Sequence, residues 1–144
     1  MLSQVQKLLK QNLVQLILYL SLVSTLGSLF FSEILKLPPC VLCWYQRICM
    51  YPIVVIAAVC LWKKDKNLPF FVLPLSLIGT AISLYHNLLY YKIIPESLAP
   101  CINGVSCTTK QIELLGFITI PLMALVGFIL IDILTIYYYK IHKS

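Results

Sequence analysis

The chain has 144 residues, of which 60% are hydrophobic and 11% are charged, with a formal net charge of +6. A soluble domain usually carries about 25% charged residues, so this composition excludes an ordinary soluble protein and indicates one membrane domain over 1–144. The positive charge does not indicate a nucleic-acid partner, because the basic residues stand at the ends of apolar runs rather than in one patch.

Four apolar runs are long enough to cross a lipid membrane, and they lie at about 13–31, 44–62, 69–91 and 116–139. We interpret the first run as a retained span rather than a signal peptide, because no convincing cleavage site follows it and three further spans do. The sequence therefore predicts an all-α membrane protein, a bundle of four transmembrane helices.

The lysines indicate how this bundle is oriented in the membrane. One side carries the larger group: Lys7, Lys10, Lys63, Lys64, Lys66, Lys140 and Lys143. The other side carries Lys36, Lys92 and Lys110. Since the side richer in lysine is cytoplasmic, we expect both termini inside the cell and both cysteine-bearing loops outside it, where disulfides persist.

Cys40 and Cys43 form a C-x-x-C pair immediately before the second span, after two stiffening prolines. Such a pair can cycle between dithiol and disulfide with little backbone movement. Arg47 follows Cys43 by four residues and returns to the same helix face. The helix N-terminus and this fixed positive charge are expected to favour a thiolate at Cys43. A C-x-x-C pair alone is also half a zinc site, so the combination with Arg47 at a membrane surface is what favours redox chemistry.

The chain has six cysteines, which fall into two classes. Cys101 and Cys107 stand in the long outer loop, where a static bridge between them would be an ordinary structural staple. Considered with the C-x-x-C pair and the arginine, they favour redox activity instead. Cys49 and Cys60 lie within the second span, where we interpret them as small buried apolar residues.

Several segments together resemble the DsbB/BdbC family of disulfide bond formation proteins, in particular its shorter Gram-positive BdbC branch. The resemblance rests on Gly27-Ser-Leu-Phe-Phe-Ser-Glu33, Cys40-Val-Leu-Cys43-Trp-Tyr-Gln-Arg47, Met50-Tyr-Pro52, Tyr85-His86, Cys101-Ile-Asn-Gly-Val-Ser-Cys107 and Gly116-Phe-Ile-Thr-Ile-Pro121. These segments are spread over nearly the whole chain, and their motifs are specific.

The resemblance implies a multi-pass bacterial cell membrane enzyme. Such an enzyme reoxidises an extracytoplasmic thioredoxin-fold oxidase (DsbA/BdbD-like) and passes the electrons to a membrane quinone, either menaquinone or ubiquinone. It also implies redox disulfides Cys40–Cys43 and Cys101–Cys107. In the implied relay, the partner thiolate attacks Cys101, Cys107 attacks Cys40, and Cys43 leaves as a thiolate beside the quinone. This interpretation requires no metal.

Three further polar residues are candidates for the cofactor site or for structural roles. Arg47 and Gln46 are expected to contact the quinone. His86, near the outer end of the third span, is expected to be either a quinone hydrogen-bond donor or a packing histidine. Asp132 in the fourth span is a functional candidate by default. Because it is far from the outer cysteines, we expect a structural partner such as Gln15 or Tyr19.

Two alternative interpretations remain open at this point. A vitamin K epoxide reductase-like enzyme is also a four-helix, quinone-linked thiol oxidase, but its C-x-x-C begins the last core span rather than the second. In a non-enzymatic module, Cys40, Cys43, Cys101 and Cys107 would bind structural zinc. An oxidising outer face and the unexplained Arg47 argue against that module, and metal analysis with a thiol count discriminates the two classes.

Overall fold

A computed structural model describes residues 1–99, 113–114 and 118–143 of the chain. The helices are α1 (Leu2–Leu29), α2 (Val41–Lys63), α3 (Leu68–Tyr90) and α4 (Ile120–Lys143), with a π-helical turn at Phe30–Ile34 and a 3-10 turn at Glu96–Leu98. Two short strands, β1 (Glu113–Leu114) and β2 (Ile118–Thr119), pair antiparallel. Cys101, Cys107 and the predicted bridge between them lie outside the described residues.

The four α-helices form the predicted bundle of membrane spans. Each is long and apolar enough to cross a membrane. In the ring that they form, α1 contacts α2 and α4, and α3 contacts the same two helices. Four crossings bring the start of α1 and the end of α4 to one end of the bundle. We call the opposite end, which holds Cys40 and Cys43, the cysteine end.

The helices begin at other residues than the predicted spans, by one residue in α3 and by three in α2, which begins at Val41 rather than at residue 44. The first and fourth spans differ most. The predicted lead-in is continuous with the first span, so that α1 begins at Leu2 rather than near residue 13. The fourth helix begins at Ile120 rather than at residue 116, because 118–119 belong to β2. The Thr119 hydroxyl accepts a hydrogen bond from the Leu122 backbone N–H at 3.3 Å, which caps the start of α4.

In the core, α3 approaches α4 closely at Gly79. A Cβ atom at Gly79 would overlap the ring of Phe128, which is 1% exposed. Only glycine therefore leaves room for this ring beside the backbone of α3. Leu13, Ile17, Ile53 and Ile131 belong to the same core cluster.

Asp132 lies near the middle of α4 and is held by two hydroxyl groups of α3. Ser76 Oγ donates to one carboxylate oxygen, and Thr80 Oγ1 donates to the other at 2.7 Å. The expected partners Gln15 and Tyr19 are therefore wrong, because the face of α4 that carries Asp132 packs against α3. We call Ser76, Thr80 and Asp132 the Asp132 cluster.

Candidate redox centre

The C-x-x-C pair forms the N-terminal cap of α2. Cys40 has extended backbone dihedrals and is the cap residue, and its Sγ accepts from the Cys43 backbone N–H at 3.4 Å. A helix leaves its first N–H groups without partners inside the helix, and a cap side chain satisfies one of them. The spacing of the motif brings the second cysteine to the position whose N–H faces the cap. The two Sγ atoms are 3.0 Å apart.

In the dithiol form, this arrangement places the thiolate on Cys40. A hydrogen bond from the Cys43 thiol, assisted by His86 and by the Cys43 backbone N–H, lowers the pKa of Cys40 to about 4 despite burial. The expectation of a thiolate on Cys43 is corrected here. The helix begins at Val41, so the cap position and its N–H donor favour negative charge on Cys40.

His86 and Gln46 continue the network on the α3 side of the cysteine pair. His86 Nε2 lies 3.7 Å from Cys40 Sγ, and His86 Nδ1 lies 3.3 Å from Gln46 Nε2. Both side chains are buried. With the Gln46 amide donating to Nδ1, the imidazole carries its proton on Nε2 and donates it to the Cys40 sulfur. The histidine is thus oriented by one residue and directed at the cap cysteine.

Arg47 is anchored to the last turn of α1. Its Nε donates to Ser28 Oγ and its Nη2 to the Ser28 carbonyl oxygen, both at 2.9 Å. The guanidinium carbon also lies 5.4 Å from the centre of the Trp44 ring, within the range of a cation–π contact. The two bonds to Ser28 use part of the five-donor guanidinium fork, which leaves donors for a ligand.

A cavity of about 400 Å³ lies between α1, α2 and α4 at the cysteine end, and we call it the Arg47 cavity. Its walls are mostly apolar side chains, among them Phe31, Met50 and Phe128. Cys43, Gln46 and Arg47 also line it. One residue of the C-x-x-C pair therefore lines the same largely apolar cavity as a fixed positive charge.

Tyr51 also lines the Arg47 cavity, and its hydroxyl is buried with no hydrogen-bond partner among the described residues. A buried hydroxyl usually has a partner, so this one is suited to a polar atom of a ligand. The sequence analysis assigned no role to Tyr51 or to Ser28. A signal existed for Ser28, because an arginine within a membrane span requires hydrogen-bond acceptors at its own depth.

The structure brings most of the predicted site residues together. Cys40, Cys43, Gln46 and Arg47 follow one another along the first turns of α2. His86 approaches Cys40 from α3 and is not among the described residues that line the Arg47 cavity, so its direct contact with the cofactor stays a prediction. Cys49 and Cys60 lie in the apolar core, as expected for small buried residues.

Comparison with known proteins identifies the family. Residues 10–138 match the family model described as "Disulfide bond formation protein DsbB". The chain is 47% identical over 115 residues to disulfide bond formation protein C of Bacillus subtilis, which covers 78% of this chain and 82% of that protein. It is 49% identical over 114 residues to probable disulfide formation protein C 1 of Bacillus anthracis, covering 78% and 81%.

A relative outside Bacillus extends the coverage. The probable disulfide formation protein of Metapseudomonas resinovorans is 41% identical over 126 residues, covering 87% of this chain and 88% of that protein. No solved structure matches the chain. The relatives favour disulfide formation over both the vitamin K epoxide reductase-like enzyme and the zinc module.

Proposed function

The chain belongs to the DsbB family of disulfide bond formation proteins, and from that premise we propose that it reoxidises an extracytoplasmic thioredoxin-fold oxidase and reduces a membrane quinone. As a member of this family it is a multi-pass bacterial membrane thiol–disulfide oxidoreductase. One observation supports the proposal most strongly. Cys43 lines the Arg47 cavity while its neighbour Cys40 faces His86, so the pair lies between an apolar cavity and a buried polar network.

The residues of the Arg47 cavity fit a quinone headgroup. A headgroup is a flat, largely apolar ring with carbonyl acceptors, and a cavity of about 400 Å³ lies in the size range of small-molecule sites. Arg47 supplies charged N–H donors, and Tyr51 supplies a buried hydroxyl without a partner among the described residues. Apolar walls exclude water, which strengthens both contacts.

Electrons enter this site by disulfide exchange. In the relay that the family resemblance implies, the reduced partner attacks the Cys101–Cys107 bridge and becomes oxidised, and the freed Cys107 thiolate attacks Cys40. The Cys40–Cys43 bond then breaks, and its electron pair leaves on Cys43. Cys101, released when the second thiol of the partner completes the oxidation of the partner, attacks Cys107, which restores the Cys101–Cys107 bridge and releases Cys40 as a thiolate. His86 and the cap N–H hold negative charge on Cys40 when both sulfurs are reduced.

The residues around Cys43 prepare the pair for reoxidation. When bound, a quinone supplies the oxidant, taking up two electrons and two protons while the dithiol returns to the disulfide. Arg47 stabilises negative charge that develops on a ligand oxygen, because Ser28 fixes the guanidinium before the reaction begins. Tyr51 would help to hold the headgroup if its hydroxyl turned into the cavity and donated to a carbonyl oxygen. The chain thus supplies position and charge.

Quinone-dependent oxidation of a reduced thioredoxin-fold oxidase tests this proposal directly. Proteoliposomes containing the protein and either menaquinone or ubiquinone should convert partner thiols to disulfide, with one quinone reduced per pair of thiols. Cys43→Ser should abolish this reaction, whereas the matched variant Cys49→Ala, in the core of the same helix, should retain it. A Cys43→Ser protein that oxidises the partner at the normal rate would overturn the proposal.

The order of the relay is tested by trapping. Cys107→Ser leaves Cys101 as a lone thiol, whose thiolate attacks the disulfide of added oxidised partner and releases one partner thiol. Because no Cys107 is present to displace the partner again, a mixed disulfide between Cys101 and the partner should accumulate. Non-reducing electrophoresis and mass spectrometry identify the joined cysteines. Normal turnover of Cys107→Ser would show that electrons reach Cys40 by another route.

A further inference from the structure

The cysteine pair and His86 form a cluster that disulfide exchange alone does not explain. The Sγ atoms of Cys40 and Cys43 and a ring nitrogen of His86 all lie within 4.8 Å of one another. Two thiolates and one imidazole are ligands that Zn²⁺ and related ions prefer. The cysteines lie at the start of α2, and the histidine lies in α3. We propose that the reduced pair and His86 bind a soft divalent cation such as Zn²⁺ or Cd²⁺, and that the oxidised pair does not.

The distances suit a tetrahedral ion after a small adjustment. Bond lengths of about 2.3 Å to sulfur and 2.0–2.1 Å to nitrogen imply ligand separations of about 3.8 Å between sulfurs and 3.6 Å between sulfur and nitrogen. The structure has 3.7 Å between Cys40 Sγ and His86 Nε2. The two sulfurs, now 3.0 Å apart, must separate by about 0.8 Å, which side-chain rotation at Cys43 supplies.

Gln46 can orient the His86 ring both when Nε2 donates to Cys40 and when Nε2 binds a cation. When Nε2 binds a cation, the ring proton moves to Nδ1, and the Gln46 amide presents its oxygen instead of its nitrogen. Metal-bound histidines commonly donate their other N–H to such an acceptor, which fixes the orientation of the ring. The same contact that now directs the N–H at Cys40 would therefore hold the histidine on a metal ion.

The oxidation state of the pair decides whether this site exists. Forming the Cys40–Cys43 bond consumes two of the three ligands, and His86 alone does not hold a cation. Reduction restores both sulfurs, and binding of the cation displaces the remaining thiol protons to solvent. Thiolate and imidazole ligands select Zn²⁺ and related ions over Mg²⁺ and Ca²⁺. A cation bound there blocks reoxidation, because neither sulfur can form a disulfide while it is a ligand.

Titration of the reduced protein with Cd²⁺ tests the site without partner or quinone. The background carries Cys101→Ser and Cys107→Ser, which removes the other thiols predicted to lie outside the membrane. Cd–thiolate absorption should show one Cd²⁺ per reduced chain and none after the pair is oxidised. Loss of a group that orients a metal-bound histidine typically lowers metal affinity about 10- to 100-fold. His86→Ala removes the ligand itself, so it should lower the Cd²⁺ affinity by at least that factor.

Matched controls and a structural measurement complete the test. Cys49→Ala should bind Cd²⁺ as tightly as the background protein, whereas Cys40→Ser should lose the Cd–thiolate signal. X-ray absorption of the Zn²⁺ form should show two sulfur ligands and one nitrogen ligand from the protein, which tests the site even if His86→Ala misfolds. Unchanged affinity in a folded His86→Ala protein, sulfur-only ligation, or equal binding to the oxidised protein would each overturn the inference.

The inference rests on the proposed function only for the statement that the pair is reduced during turnover. Cd²⁺ binding to a protein that cannot oxidise its partner would leave the metal site intact and contradict the proposed function. Normal partner oxidation without redox-dependent Cd²⁺ binding would contradict the metal site alone. The two failures are therefore distinguishable.

Discussion

In the middle of the bundle, Asp132 accepts hydrogen bonds from Ser76 and Thr80, whereas nearer the cysteine end the Tyr51 hydroxyl is buried with no partner among the described residues. The other such atoms lie on the same side of the midpoints of their helices, on Thr25, Ser83 and Asn87. An unpaired polar group inside a membrane protein costs several kcal/mol. The Asp132 cluster is therefore a stabilising contact between α3 and α4, whereas Tyr51 is the one of these four residues that lines the Arg47 cavity.

This comparison makes different predictions for the two regions. Substitutions at the cysteine end should change redox kinetics, ligand affinity or reduction potential with little effect on unfolding. Substitutions in the Asp132 cluster should lower the free energy of unfolding with little effect on redox kinetics, ligand affinity or reduction potential.

Apart from loss of the cysteines themselves, the largest effect at the cysteine end is expected for Arg47→Ala. Removing a buried charge-assisted contact costs about 2–4 kcal/mol, so quinone-linked turnover should fall roughly 30- to 1,000-fold. Arg47→Lys should keep part of the rate, because it retains the charge but loses the planar fork that binds Ser28. Exchange with the partner in the absence of quinone serves as the control and should be nearly unchanged. Quinone kinetics of Arg47→Ala equal to those of the unsubstituted protein would remove Arg47 from the mechanism.

His86→Ala should make the Cys40–Cys43 pair a weaker oxidant. A hydrogen bond to a charged group contributes about 1.5–3 kcal/mol, which corresponds to about 30–60 mV for a two-electron couple. The reduced form loses this stabilisation, so the reduction potential should become more negative and the pKa of Cys40 should rise.

The effect of His86→Ala on the reduction potential should depend on pH. The pKa of Cys40 is lowered to about 4, so the thiolate and its stabilisation are present at neutral pH and are lost as the pH falls through that value. The difference in reduction potential between the unsubstituted protein and His86→Ala should therefore have its full value at pH 7 and disappear below about pH 4. Potentials measured against a glutathione couple, with thiolate absorption followed in parallel, provide the test. His142→Ala, at the opposite end of the bundle, is the matched control, and an equal shift in that variant would contradict the assignment.

Thr80→Ala tests the middle of the bundle. It removes the hydroxyl that donates to one oxygen of Asp132, and a buried acceptor left without its donor costs about 1–3 kcal/mol. The free energy of unfolding in detergent should fall by that amount, while quinone-linked turnover of the folded protein stays unchanged. Thr25→Ala is the control, because its buried hydroxyl has no partner among the described residues to lose. Equal destabilisation by both substitutions would contradict the structural role of the Asp132 cluster.

The smallest effect is expected for Tyr51→Phe. The substitution should weaken quinone binding by about 0.5–1.5 kcal/mol, or roughly 2- to 12-fold, which is the net contribution of one neutral hydrogen bond. The protein should become harder to unfold, because the substitution removes a buried hydroxyl that has no partner among the described residues. Equilibrium quinone titration and thermal unfolding together separate the two effects. Tyr45→Phe, at an exposed position of the same helix, should change neither quantity, and unchanged quinone affinity in Tyr51→Phe would remove its hydroxyl from the site.

The sequence predicts the parts of this protein that depend on local pattern. Long apolar runs specify the four spans, and two prolines before a C-x-x-C specify a helix that begins at the cysteines. The side chains of Gln46 and Arg47 then follow from their place on the first turns of α2. The same reasoning fails for the thiolate, because whether Cys40 or Cys43 carries the charge depends on which residue caps the helix.

Contacts between helices are what the sequence does not specify. The partners of Asp132 depend on which face of α4 packs against α3, and hydropathy does not determine that face when nearly every position is apolar. The same limit applies to Ser28, whose distance from Arg47 depends on how α1 lies against α2. Tyr51 was missed because an aromatic residue in an apolar helix has no visible function until a cavity is found beside it.

The central claim is that electrons leave the Cys40–Cys43 pair directly for a quinone, and a single-turnover measurement tests it. A protein carrying Cys101→Ser and Cys107→Ser is reduced and then mixed anaerobically with quinone, without any partner. We predict that one quinone is reduced for every two thiols lost, and that mass spectrometry finds the new disulfide between Cys40 and Cys43. Quinone that stays oxidised while the pair remains a dithiol would contradict the claim.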